Sequence, residues 1–487
     1  MNLLILFSII LPITAGLLIM LLGIQKGKIR NILVSVLVIV ECAMIVQLAC
    51  RGEKLTLQLF NLSDILSIYF HIDKLSILFA LLVSVLWIFT TFYSQVYMTH
   101  EGKEVQFFSF YLITLGVTMG IAFSGNLFTL YIFYELLTLS TFPLVIHSGS
   151  REALQSGKKY LIYSFGGATI VLFGMILLGA IGSDMYFIEN GFSNKMHFIS
   201  ENQQHLLQIA YGAMFLGFGV KAAIVPFHSW LPEAMVAPTP VSALLHAVAV
   251  VKSGVFALLR ISYYIFGAEI VRGFEITQYI SILIILTILM GSLLATAQKN
   301  LKKRLAYSTI SQLGYILLGI ILLNPDALSG GLLHLVNHAV IKITLFFCVG
   351  AIYFMTGYKT MDEIKGIGRK MPVTMCCFGV ASISLIGIPP TNAFASKWLL
   401  VLGGISENKM IFSAILLLSA FFSAVYLLPI LFTAFFQKSQ DASMEENLDP
   451  SQKMLIPIVA LTGIVLILGL FPNPVLGFIK GITQTIV

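Results

Sequence analysis

The chain is short of charge, and shortest of acid. Only 10% of its 487 residues are Asp, Glu, Lys or Arg, and just 22 of them are acidic. A water-exposed fold ordinarily carries about a quarter of such residues, so no soluble domain of ordinary size fits here. Cysteine is equally sparse. Cys42, Cys50, Cys348, Cys376 and Cys377 form no CxxC pair and no Cys/His cluster at ligand spacing, so they read as small packing residues rather than a metal site. There is no GxGxxG, no Walker lysine loop and no nucleophile elbow. No cofactor and no metal are therefore expected, and any redox chemistry belongs to a partner.

What fills the chain is apolar: 58% hydrophobic residues with 37 Phe and 39 Gly, and a mean hydropathy of +0.94. The fold class this implies is an all-α polytopic membrane protein. The first apolar segment starts at Leu3, and its first positive charges (Lys26, Lys28, Arg30) follow it. That order is the reverse of a cleaved signal peptide, so the segment reads as a retained span. A span needs about 20 apolar residues at 1.5 Å each. On that rule the expected spans are 3–24, 31–50, 75–97, 106–124, 127–147, 159–182, 207–226, 240–264, 276–298, 305–323, 328–356, 372–402, 409–436 and 453–475, fourteen in all. The longest loop is expected from Ser183 to about His205, and an acidic run from Asp441 to Asp449 separates the last two spans. Loops after odd-numbered spans hold most of the Lys and Arg, including Lys299, Lys302, Lys303, Arg304, Lys359, Lys365, Arg369 and Lys370. The positive-inside rule then puts those loops in the cytoplasm and both termini outside, in a plasma (inner) membrane. The formal +7 charge is a topology signal and gives no reason to expect nucleic-acid binding.

Against this background, Lys221, Lys252, Lys342 and Lys397 lie well inside apolar segments. A buried ammonium is costly unless it has a partner or a task, and intramembrane ionisable groups mark ion pathways. Glu135, in the fifth span, is the natural counter-ion of Lys221 in the seventh. The seventh span is interrupted by Pro226 and Pro232 soon after its lysine, and the twelfth by Pro389 and Pro390 just before Lys397. Broken backbone at membrane depth survives only where it is buried in protein or lines a wet cavity. Two such breaks, one in each half, suggest repeated units. The expected organisation is residues 1–105 (spans one to three), 106–265 (first unit, spans four to eight), 276–436 (second unit, spans nine to thirteen) and 437–487 (loop and last span). Each unit has an odd number of spans, so the copies are inverted.

The eighth span adds His246 and Lys252; the eleventh carries His334, His338 and Lys342. Spacing of four places the last three on one helix face over about 12 Å, a ladder of proton-exchanging groups. With no carboxylate or cysteine beside it, this HxxxH pair is not expected to bind zinc. Glu41 in the second span is expected to be a protonated, hydrogen-bonded packing group. Asp73 is expected to be a helix N-terminal charge.

These residues together resemble the antiporter-like membrane subunits shared by respiratory complex I (the NADH dehydrogenase (quinone) family), Mrp-type cation/proton antiporters and membrane-bound hydrogenases. The resemblance runs from about Asp73 to Leu431. It rests on Tyr134-Glu135, on Lys221 followed by Pro226-Phe227-His228-Ser229-Trp230-Leu231-Pro232, on Pro240-Val241-Ser242-Ala243-Leu244-Leu245-His246 leading to Lys252, on the His334/His338/Lys342 helix, and on Pro389-Pro390 ahead of Lys397. Lysine at 397 resembles the N-type or Mrp D-like subunits, and Asn392-Ala393 departs from a more familiar small-residue pair with glycine. The resemblance implies proton translocation through Glu135, Lys221, His246, Lys252, His334, His338, Lys342 and Lys397, driven by other membrane subunits of a redox-driven translocase or exchanged for Na+ in an Mrp assembly. The alternatives left open are a stand-alone cation/proton antiporter and a purely structural subunit.

Overall fold

Long apolar helices dominate the computed structural model, which describes residues 3–51, 55–61, 66–182, 185–192, 201–438 and 447–487. They begin with α1 (Leu3–Leu22) and α2 (Gly27–Arg51), followed by a hairpin of β1 (Thr56–Asn61) and β2 (Ser67–His71). Next come α3 (Lys74–Glu101), α4 (Glu104–Ala122), α5 (Leu127–Val145), α6 (Arg151–Ala180), α7 (Glu201–Lys221), the short α8 (Trp230–Glu233), α9 (Thr239–Ala247) and α10 (Val250–Leu259). The remainder is α11 (Ala268–Gly273), α12 (Ile276–Ala297), α13 (Leu301–Ile321), α14 (Pro325–Thr356), α15 (Ile367–Lys370), α16 (Pro372–Ile386), α17 (Asn392–Ser406), α18 (Met410–Phe436), α19 (Gln452–Leu470) and α20 (Asn473–Ile486).

Among the described residues, 11 helices are long and apolar enough to cross a membrane. The other expected segments fall on α7, α13 and the pair α16 and α17. α7 opens on Glu201-Asn202-Gln203-Gln204 and α13 on Leu301-Lys302-Lys303-Arg304, which lowers their hydropathy. α16 and α17 have 15 residues each, too few for either to span alone at 1.5 Å per residue.

Burial sorts the helices into layers. The most apolar window of Thr239–Phe266 is 100% buried and that of Pro325–Thr356 is 78% buried, whereas α1, α2 and α19 reach only 33%, 28% and 33%. The helices that carry the histidines and central lysines therefore form the middle of the bundle, wrapped by helices whose outer faces are left for lipid.

Three features depart from the expected plan. The hairpin interrupts an otherwise helical chain, pairing Thr56 with His71 and Leu57 with Phe70 in antiparallel register. Its β2 edge continues into the α4–α5 turn, where His71 N donates to Phe123 O at 2.9 Å and Gly125 N to Tyr69 O at 2.9 Å. Second, the last expected span stops at Leu470, because Pro472 turns the chain into α20, which tucks Ile479, Ile482 and Ile486 inward. Third, the eighth span is not one regular helix: it breaks at Val248–Ala249 and ends in a π-helical stretch, Arg260–Phe266.

Asp73 does cap α3, accepting from Ser76 N at 2.8 Å, but it does more. Arg260 grips it with both nitrogens, at 2.5 and 2.8 Å. Burial alone would push this carboxyl up; the guanidinium and the Ser76 hydrogen bonds outweigh it and hold it down at about 2. Residues 183–184 and 193–200 of the expected loop from Ser183 to His205, and 441–446 of the acidic run from Asp441 to Asp449, lie outside the described residues, and α7 already begins at Glu201 within that loop. Asp449 itself is described, and its carboxylate accepts from Val373 N and Thr374 N, both at 3.0 Å, at the start of α16.

Candidate functional site

α7 stops at Lys221, and the reason is local. Ala223 takes a left-handed φ of 57°, and Pro226 has no N–H to continue the ladder. Several of the freed groups find partners: Ala223 N donates to Val220 O at 3.1 Å, Ile224 N to Gly219 O at 3.0 Å, Val225 N to Thr287 Oγ1 at 2.9 Å and Trp230 Nε1 to Val220 O at 2.9 Å. Such partners are what allow an unwound stretch to persist among apolar helices. Lys221 thus sits at a helix C-terminus, the end whose partial negative charge favours a cation. Its ammonium donates to the Tyr134 carbonyl, lies 3.4 Å from the centre of the Tyr134 ring and stands 4.0 Å from Glu135 Oε1. Lys221 is wholly buried and the Glu135 side chain is 20% exposed. α10 comes against this corner at Gly254, where a Cβ would stand 2.7 Å from Ala222 N, so only glycine permits the approach.

The break between α9 and α10 flanks His246. There Ala249 N reaches back to Leu244 O at 2.9 Å, one residue further than an α-helical bond. The His246 ring lies 5.1 Å from the Phe346 ring, and neither of its nitrogens has a partner among the described residues. Four residues past Lys252 the wall of α10 continues as an apolar surface, but Lys252 itself finds α14: its Nζ is 3.0 Å from His338 Nδ1.

α14 carries the ladder as spaced. The His334 and His338 rings are 5.9 Å apart. His334 Nδ1 is 3.0 Å from Ser396 Oγ, and its Nε2 is 3.0 Å from Gln312 Oε1. Lys342 donates to Leu305 O at 3.0 Å and to the Ser308 hydroxyl.

The second break repeats the first with different residues. α16 ends at Ile386, Gly387 turns at φ 94°, and Pro389 and Pro390 precede α17. The carbonyls orphaned at the end of α16 are taken by Lys397, which donates to Leu385 O at 2.7 Å and Ile386 O at 3.0 Å. Lys397 also lies 5.2 Å from the Tyr315 ring centre. Asn392 ties the break together: it accepts from the Ser384 hydroxyl, its Nδ2 donates to Asn337 Oδ1 at 3.3 Å, and its carbonyl accepts from Asn337 Nδ2 at 2.8 Å. In the first break the lysine is the last residue of its half-helix and its ammonium reaches α5, whereas in the second the ammonium itself caps the carbonyl end of α16.

Of the residues singled out from sequence, the structure pairs Glu135 with Lys221 and Lys252 with His338, stacks His334 on His338, and buries Lys342 and Lys397 on backbone carbonyls. His246 joins no hydrogen bond among the described residues. Residues not singled out also line the site: Ser308, Gln312 and Tyr315, on one face of α13 at spacings of four and three, and Asn337, Asn392 and Ser396. Chemically, the set offers proton donors and acceptors in hydrogen-bond reach, with gaps at His246 and His338 Nε2 of the kind a bridging water fills. No group of three or more His, Cys, Asp or Glu side chains suited to a metal ion occurs among the described residues.

Residues 124–423 match the family described as NADH:quinone oxidoreductase/Mrp antiporter, TM. Subunit N of an NADH-quinone oxidoreductase from Desulforudis audaxviator is 33% identical over 387 residues, 77% of this chain and 76% of that one. Subunit A1 of a Na(+)/H(+) antiporter from Staphylococcus haemolyticus is 31% identical over 433 residues, 83% of this chain and 52% of that one. The chain thus spans about half the length of that second relative. Among solved structures, a chain of the Mrp complex from Dietzia sp. superposes with a TM-score of 0.87 at 22% identity, covering 100% of this chain and 97% of the other. A chain of the archaeal membrane-bound sulfane sulfur reductase does so with a TM-score of 0.86 at 23% identity, covering 99% and 97%.

Proposed function

The chain belongs to the NADH:quinone oxidoreductase/Mrp antiporter transmembrane family, and from that premise we propose that it is a proton-translocating subunit of a multisubunit membrane complex. The observation that carries this reading is the set of buried titratable groups in the central helices, with Lys221 beside Glu135, Lys252 against His338, His334 stacked on His338, and Lys342 and Lys397 held on backbone carbonyls. The proton route follows that set, with His246 completing it through water. Glu135 holds Lys221 charged; when the two separate, the un-neutralised Lys221 ammonium disfavours a charge on Lys252, which releases its proton along α14 to Lys397. The two broken helices, α7 and the pair α16 and α17, each supply one half of the route. Units 106–265 and 276–436 are inverted copies, spanning the membrane within a fourteen-crossing plan. Both termini face outward, the basic loops face the cytoplasm, and the membrane is the plasma (inner) membrane.

The partners are the other membrane subunits of a redox-driven translocase or of an Mrp-type assembly, and lysine and histidine side chains favour protons over Na+ as the ion on this axis. Sealed vesicles containing the assembled complex test the reading: Lys221→Ala should stop proton movement while the subunits still co-purify. Undiminished proton movement would overturn it. A stand-alone cation/proton antiporter, by contrast, requires that the purified chain alone in liposomes dissipate a pH gradient on cation addition.

A further inference from the structure

α2 carries an acid that the axis does not use. Glu41 is fully buried, on the α2 face that also turns Val34, Val38, Ile45 and Leu48 inward. The sequence suggests a hydrogen-bonded packing group, yet neither carboxyl oxygen has a partner among the described residues. α2 and α3 run antiparallel, as shown by Gln95 Nε2, which donates to Asn31 O at 2.9 Å and Ser35 Oγ at 2.7 Å. Along this pair Ser84 lies against Cys42, the neighbour of Glu41, and Leu48 and Ile77 face one another across a shared cavity. Ser84 is turned back on its own helix, donating to Leu81 O at 3.2 Å.

The charged side chains around Glu41 are all remote. α1 has none, those of α2 are Lys28, Arg30 and Arg51, and those of α3 are Lys74 and Glu101, at its two ends. Arg30 is already paired with Glu104 of α4. Cys42 is the only other titratable group near Glu41 on α2. Leu48 and Ile77, however, line a cavity of about 340 Å³ that also contains Asp73, Lys74, Glu189 and Tyr264. Leu48 is seven residues from Glu41 on the same face, about 10 Å along the helix. A carboxyl left unpaired in an apolar interior is costly, and packing alone would be better served by leucine.

We propose that Glu41 is a second proton-exchanging site, reached by water from the cavity at Leu48 and Ile77 and separate from the axis that runs from Glu135 to Lys397. A proton carried into that cavity by hydronium is relayed through water over the remaining distance of about 10 Å to the carboxylate, forming an O–H bond on Glu41 and leaving water behind; release reverses the step. The test uses membranes holding the assembled complex and dicyclohexylcarbodiimide, which adds to a protonated carboxyl and leaves an N-acylurea detectable by peptide mass spectrometry. Labelling at Glu41 should fall as the pH is raised, and Leu48→Trp, which adds bulk to the cavity wall on the face shared with Glu41, should slow it about tenfold. Leu48→Ala should not. No label at Glu41, labelling that ignores pH, or labelling unchanged by Leu48→Trp would each overturn the proposal.

Discussion

Replacing Glu135 by glutamine keeps the side-chain shape and removes one charge 4.0 Å from the Lys221 ammonium. At that separation and an effective dielectric of about 20, the pair is coupled by about 4 kcal/mol. Moving one charge against 100 mV takes about 2.3 kcal/mol. The coupling therefore exceeds the work of one such step, and without it Lys221 has no reason to hold or pass charge in phase with its neighbours. The assay is dye-reported acidification of sealed vesicles bearing the complex. Glu135→Gln should lower proton flux by at least about two orders of magnitude, since each 1.4 kcal/mol is a factor of ten. Glu135→Asp grades the argument: withdrawing the carboxylate to about 5.5 Å leaves about 3 kcal/mol, so flux should fall about fivefold. Wild-type flux in Glu135→Gln, with normal assembly, would refute the reasoning, as would Asp and Gln behaving alike.

Lys397→Ala should abolish flux and also lower thermal stability by about 1–3 kcal/mol, because the Leu385 and Ile386 carbonyls lose their donor; melting in detergent reads the second effect. Asn392→Ala should cost about the same by removing the bridge to Ser384 and Asn337, and should reduce flux less than Lys397→Ala. Asp73→Asn breaks a buried pair with Arg260 and should destabilise by about 3–5 kcal/mol. Since folding depresses the Asp73 carboxyl to about 2 from an unfolded value of about 3.9, its stabilisation is complete above about pH 4 and lost as the pH falls from there towards 2. An acid titration followed by tryptophan fluorescence should show that component in the wild type and not in Asp73→Asn.

Charge in an apolar sequence is legible because it is expensive. That is why Glu135, Lys221 and the α14 ladder stand out in the sequence, Glu135 lying beside Lys221 and His338 beside Lys252 in the structure, and why prolines 226, 389 and 390 mark where the helices end. Ser308, Gln312 and Asn337 were not legible for the opposite reason. Hydroxyl and amide residues are cheap in a buried helix, where many bond back to their own turn, as Thr309 does to Leu305 O at 3.0 Å. Only the partner across the interface reveals which ones serve a lysine or histidine. The bend between His246 and Lys252 carries no proline, and its single hydrogen-bond slip at Ala249 depends on packing that no short window of sequence encodes. The β1–β2 hairpin was hidden by its brevity between two long spans.

A proton wire is only as continuous as its middle. Lys252→Met keeps the bulk of the side chain, leaves the Glu135–Lys221 pair and the Lys397 end untouched, and removes the amine that faces His338 Nδ1 at 3.0 Å. Measured in sealed vesicles of the assembled complex, proton flux should disappear. Flux at the wild-type rate through that variant would mean that protons do not travel by this row of side chains.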